Sequence, residues 1–162
     1  MDFNKLIPDI GAFGRTDWAK PSIKTGDKNW IISIAIVALM LIFLFLPWTS
    51  ATQSGVTVSR LGITTWYGII GLISVAIAAY GVLYEQKQFV FCASVLAVVM
   101  GFIGMLCIPE LSTTFNGQEI KITAKTIKDL EGVSVSHTGA ILFMIASAGS
   151  AAWSFLQIKN EK

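Results

Sequence analysis

The stretch FLPWTSATQSGVTVSRLGITTWYG, Phe45 to Gly68, joins two long apolar runs. Running into its first two residues is IISIAIVALMLIFLFL, residues 31–46, with twelve Ile, Leu, Val or Phe residues; after it the chain stays apolar up to Tyr84. Inside the stretch Val56 and Val58 alternate with Thr57 and Ser59, the period of a strand with one apolar face. A segment that leaves one apolar run, becomes strand-like and polar, and re-enters another reads as an excursion out of a membrane. The first run alone carries roughly −4 to −7 kcal/mol of insertion free energy.

Composition agrees with that reading. Of 162 residues 54% are apolar and 14% charged, whereas soluble domains carry about a quarter charged residues. The charges gather in the first thirty residues, after Pro109 and at the C-terminus. Four blocks reach the roughly 20 apolar residues that a span needs: about 30–48, 61–84, 89–108 and 138–158. The expected fold is a membrane all-α four-helix bundle. Residues 1–29 form an amphipathic or irregular cytoplasmic arm, 49–60 and 109–137 are outer loops, and 159–162 is a cytoplasmic tail.

Orientation follows from the basic residues. Eight Lys and Arg (positions 5, 15, 20, 24, 28, 87, 159 and 162) fall on the side of the termini and four (60, 121, 125 and 128) on the other, which places both termini inside. Trp30, Trp48, Arg60, Trp66 and Tyr84 stand at or near block ends, where amphipathic side chains anchor in headgroups, and Trp18 is a further anchor candidate in the arm. Cys92 and Cys107 both fall in the third block, so neither outer loop holds a disulfide, and neither loop has an Asn-x-Ser/Thr acceptor. These features lean towards a bacterial inner membrane. A net charge of +2 suggests no nucleic-acid partner.

Small residues mark the expected helix contacts. Gly68, Gly71, Gly101 and Gly104 let backbones approach closely, and Ala146, Gly149, Ser150 and Trp153 recur at i, i+3, i+4 and i+7 in a block rich in Ala, Ser and Gly. These are candidate packing or partner-interface residues. In the second outer loop Asn116-Gly117 is the dipeptide of a two-residue hairpin turn, followed by alternating Ile120 and Ile122, then Val133 and Val135. The two outer loops are therefore expected to pair into a small extracytoplasmic β-sheet capping the bundle. In the arm, Phe3, Leu6, Ile7, Ile10 and Phe13 recur at helical spacing, interrupted by Pro8 and Gly11.

Chemistry is sparse. The single His, His137, lies at the edge of the fourth block; no phosphate loop, nucleophile elbow or His-Glu-x-x-His occurs. The four spans carry no ionisable side chain that would mark an ion path. Neither catalytic residues nor a metal or cofactor are expected, and the chain does not read as an enzyme.

Four helices, inside termini and β-structure in the outer loops resemble the claudin-like architecture. The claudin Gly-Leu-Trp motif and loop cysteines are missing after Trp48, so no claudin residue role carries over. Pro47-Trp48, then Gly55, Leu61 and Gly62 before a Gly-rich second helix, is similar to small bacterial four-helix membrane proteins. The expected function is a non-enzymatic accessory or stabilising subunit of an inner-membrane complex of energy-transducing, secretion or envelope machinery. The alternative is a self-assembling four-helix protein, acting as a passive pore or adhesion element. Its partners would be the lipid bilayer and other membrane proteins, or copies of itself.

Overall fold

The computed structural model describes residues 6–18, 20–53, 56–115, 118–122 and 133–160. A one-turn helix α1 (Gly11–Arg15) lies in the arm. Helix α2 (Lys28–Leu44) begins where the Asp27 carboxylate accepts from the Asn29 N–H at 2.9 Å, an N-cap that answers one orphan donor. It ends at Leu44, not near Trp48 as the apolar run implied. Pro47 cannot donate to a helix, and the chain enters strand β1 (Pro47–Gln53) directly.

Strand β1 pairs antiparallel with β2 (Val56–Leu61), with Ser50 opposite Ser59 and Ala51 opposite Val58. A 3₁₀ turn (Gly62–Thr64) follows. Helix α3 (Trp66–Leu83) starts five residues later than the apolar pattern suggested, because Thr65 caps it: the Gly68 N–H donates to Thr65 Oγ1 at 3.1 Å. After a tight turn comes α4 (Lys87–Leu106). Strands β3 (Leu111–Phe115) and β4 (Gln118–Ile122) form a separate hairpin. Phe115 pairs with Gln118; the expected turn residues between them, Asn116 and Gly117, lie outside the described residues. Strand β5 (Ser134–Ser136) leads into α5 (Thr138–Asn160).

Both loops contribute to the three-stranded antiparallel sheet, in the order β2–β1–β5. β5 joins the free edge of β1, Ser136 opposite Ser50 and Ser134 opposite Thr52. The helices form a ring in which α4 packs most extensively on α5 and α3, and α2 closes the ring against both of those. The core runs down its axis through Met40, Leu44, Trp48, Tyr67, Ala78, Ala97, Ala140 and Phe143.

Helices α3, α4 and α5 are long and apolar enough to cross a membrane, with mean hydropathies of 1.9, 2.5 and 1.6. α2 is as apolar but has 17 residues, about 25 Å at 1.5 Å per residue, because the end of its apolar run is spent on β1. The outside of the ring is apolar too: Ile31, Leu39, Ile42, Ile69, Ile73, Leu96, Val99, Phe102 and Ile145 are exposed. A continuous belt of that kind exceeds what soluble monomers show to water. Four buried serine hydroxyls are satisfied within the bundle. Ser74 donates to Ile70 O (2.9 Å), Ser147 to Phe143 O (2.7 Å), Ser154 to Ser150 O (2.8 Å), and Ser94 to Ser150 Oγ (2.7 Å), the last joining α4 to α5.

Candidate functional site

Three places gather the residues singled out from the sequence: the junction under the sheet, the opposite end where the arm docks, and the outward face of α5.

Under the sheet stands Trp48. Its position at the end of an apolar run suggested a headgroup anchor, but it is 0% exposed. The indole stacks on Tyr67 (5.7 Å between centroids) and packs against Phe143 (5.0 Å), and its Nε1 donates to Phe43 O at 3.0 Å. That leaves no ring surface for lipid. Three glycines make room for the indole. A Cβ at Gly62, Gly104 or Gly139 would lie 2.2, 2.7 or 2.9 Å from the nearest Trp48 atom, closer than packed carbons come. Gly104 thus serves the α4–β1 junction as well as the bundle. Gly68 meets the Gly62 carbonyl, Gly71 meets Leu44 and Phe143, and Gly101 faces Met144 and Ala140 across the α4–α5 seam.

Beside Trp48, Thr49 Oγ1 and Tyr67 OH are buried and have no hydrogen-bond partner within bonding distance among the described residues. His137 Nδ1 lies 3.3 Å from Trp48 O, at the join of β5 and α5. Arg60 was expected to reach for headgroups. Its guanidinium instead donates to Glu110 O (2.9 Å) and Thr64 O (3.4 Å), fastening the first loop to the entry of the second. Trp66, 58% exposed at the start of α3, does present its ring outward.

At the other end the arm lies on the α3–α4 turn. Trp18 and Tyr84, expected as separate anchors, meet there. Trp18 packs on Tyr80 and Tyr84 with centroids 5.4 and 5.5 Å away, and Tyr84 OH donates to Trp18 O at 3.1 Å. The Ser22 N–H donates to Leu83 O at 2.7 Å, answering a carbonyl in the last turn of α3. Glu85 sits in the turn with φ 59°, the left-handed region that costs a non-glycine residue energy. Its carboxylate accepts from Ser22 Oγ and pairs with Lys24 Nζ at 2.9 Å. The Ser22 hydroxyl and the Lys24 ammonium lower the Glu85 pKa from its ordinary value, and Glu85 raises that of Lys24. Among the described residues the expected arm helix is a single α-turn, with Ile7 and Ile10 exposed; Phe3 lies outside the described residues.

Behind this clamp, where the four helices end, is a cavity of about 160 Å³. Lys24, Asp27, Trp30, Ser33, Glu85, Lys87 and Gln157 are among its lining residues. Ser33 Oγ accepts from Trp153 Nε1 (3.2 Å) and from Gln157 Nε2 (3.3 Å), tying α2 to α5 at the cavity wall. A shallower cleft adjoins it, sharing Asn29, Lys87 and Gln157 and reaching Trp153 and Leu156. Among the described residues no three His, Cys, Asp or Glu side chains stand close enough to hold a metal ion.

The α5 quartet divides. Ser150 faces inward to Ser94, Trp153 reaches Ser33, and Ala146 packs against the core. Gly149 faces out: a Cβ there would meet nothing within 4 Å. It shares the outward face with exposed Ala148 and Ala152, flanked by the exposed side chains of Ile145 and Leu156.

No known protein family, curated protein or solved structure matches the chain.

Proposed function

We propose that this chain is a non-enzymatic integral membrane protein that acts as an accessory or stabilising subunit of a larger membrane assembly. The outward face of α5 carries the reading. Elsewhere the ring turns mostly large aliphatic side chains outward, as suits lipid, with Ala35, Ala38 and Ala76 exposed among them. On α5 the middle of the face is Ala148, Gly149 and Ala152, with open space at Gly149. Within a bilayer there is little hydrophobic drive between helices, and small residues that admit a second backbone supply the packing instead. A helix of another membrane protein fits that face. The proposed setting is a bacterial inner membrane, with the arm and both termini cytoplasmic and the sheet outside, as the basic residues suggest.

The test is mild-detergent purification of the tagged full chain from its native membrane, beside Gly149→Leu. Because a Cβ at Gly149 meets nothing within 4 Å among the described residues, the leucine leaves the bundle's own packing alone and obstructs what sits outside. A stoichiometric foreign membrane protein that is lost from Gly149→Leu, with the thermal midpoint unchanged, supports the reading. A particle of this chain alone that Gly149→Leu splits into smaller units would favour the self-assembling alternative, since the same face can meet its own copy. Retention of every associated chain by Gly149→Leu would remove this face from either role.

A further inference from the structure

The cavity behind the arm is polar, charged and placed where the helices end. Two ammonium groups, Lys24 and Lys87, and two carboxylates, Asp27 and Glu85, line it together with the Gln157 amide and the Ser33 hydroxyl. Ordinary small-molecule pockets are mostly apolar with a few polar groups; here four charged side chains share the lining about equally with apolar surface from residues such as Trp30, Val82 and Val90. Its charges balance, so a ligand of one sign gains from half the lining and is opposed by the other half. A compact group carrying both charges gains from both. The adjoining cleft leads from Lys87 and Gln157 past Trp153 to Leu156, which is 47% exposed on the apolar exterior. A polar chamber opening onto an apolar flank, at the depth where spans leave the hydrocarbon, matches a lipid: head inside, chains outside.

We infer that the cavity between the arm, α2, the α3–α4 turn and α5 binds an ammonium–phosphate zwitterion, the headgroup of a phosphatidylethanolamine. The phosphate lies toward Lys87 and the primary ammonium toward the Asp27 and Glu85 carboxylates. A primary ammonium brings three donors to those carboxylates. The trimethylammonium of phosphatidylcholine brings none, and phosphatidylglycerol offers no cation at all. Lys24, already paired with Glu85, closes the chamber on the arm side. The inference rests on the bundle spanning a bilayer and needs no partner on α5, although its cleft and the proposed partner face share Leu156.

The experiment is native mass spectrometry of the delipidated full chain, given equimolar phosphatidylethanolamine, phosphatidylglycerol and phosphatidylcholine in one detergent. One phosphatidylethanolamine per chain is expected, retained about tenfold over either competitor, the scale of one charge-assisted hydrogen bond. Lys87→Gln removes the phosphate partner, and Asn29→Trp plugs the mouth from an exposed position; each lowers retention by about tenfold with an unchanged circular dichroism spectrum. Soluble glycerophosphoethanolamine is added as a competitor. Displacement at low millimolar concentration assigns the site to the free zwitterion, and failure to displace assigns it to the membrane lipid. Equal retention of the three lipids, or a phosphatidylethanolamine preference that survives both substitutions, overturns the inference.

Discussion

Trp48 is the side chain on which the join between bundle and sheet depends most, and a double-mutant cycle with Gly104 measures that dependence. An alanine at position 104 would put its Cβ 2.7 Å from Trp48 Cε3 and 2.9 Å from Cζ3. The indole has no room to retreat, being held at 0% exposure between Tyr67 and Phe143 and tied by Nε1 to Phe43 O. Gly104→Ala should therefore cost about 1–3 kcal/mol, the range of an overpacked core. Trp48→Ala should cost about 3–5 kcal/mol, as large aromatic deletions do. In the double variant the new methyl points into space the indole has left, so the second penalty should nearly vanish. The expected coupling is about 1–3 kcal/mol. Thermal unfolding of the four proteins in one detergent, followed by far-ultraviolet circular dichroism, reads it out. If Gly104→Ala costs the same with and without the indole, within about 0.5 kcal/mol, the ring does not fill that space and the account of the junction is wrong.

Two further outcomes are expected. The arm clamp depends on charge: Glu85, its pKa lowered, contributes fully above its ordinary value and loses its contribution as pH falls through the lowered one, while Lys24, its pKa raised, contributes until pH climbs past its own. Docking should thus be tightest between about pH 5 and about pH 10 and loosen towards either extreme, where the aromatic and backbone contacts of the arm remain. Hydrogen exchange at the Ser22 N–H, bonded to Leu83 O, should accelerate severalfold in Glu85→Gln at neutral pH; equal protection in both proteins would show that the ion pair does not hold the arm. Thr49→Val, which deletes a buried hydroxyl without a partner among the described residues, should be neutral or stabilising by up to about 1 kcal/mol. A loss of 2 kcal/mol or more would mean the hydroxyl is bonded.

What was legible in the sequence was what a single element declares by itself. Three of the four apolar blocks became helices of spanning length because no charged residue interrupts them for five turns. The first block misled at its end, where Phe45 to Trp48 looks like the foot of a span but Pro47 begins a strand. Alternation at Val56 and Val58 disclosed β2, whereas the pairing of β5 with β1 depends on two loops some eighty residues apart. Trp18 read as a membrane anchor and Lys24 as one of the basic residues that set orientation; that they converge with Ser22 on one turn is a tertiary fact with no local signature. Helical spacing placed Ala146, Gly149, Ser150 and Trp153 on one broad side of α5. The step of about 100° per residue still separates them: Ser150 turns inward and Gly149 outward.

Whether the chain crosses a membrane, with arm and sheet on opposite sides, is decided most directly by labelling single cysteines on intact cells. In a background with Cys92 and Cys107 replaced by alanine, Thr57→Cys puts a thiol on the exposed side of β2 and Lys20→Cys puts one on the exposed arm. A membrane-impermeant maleimide should reach position 57 in intact cells and position 20 only after the membrane is opened. Labelling of both positions from the same side would contradict the account.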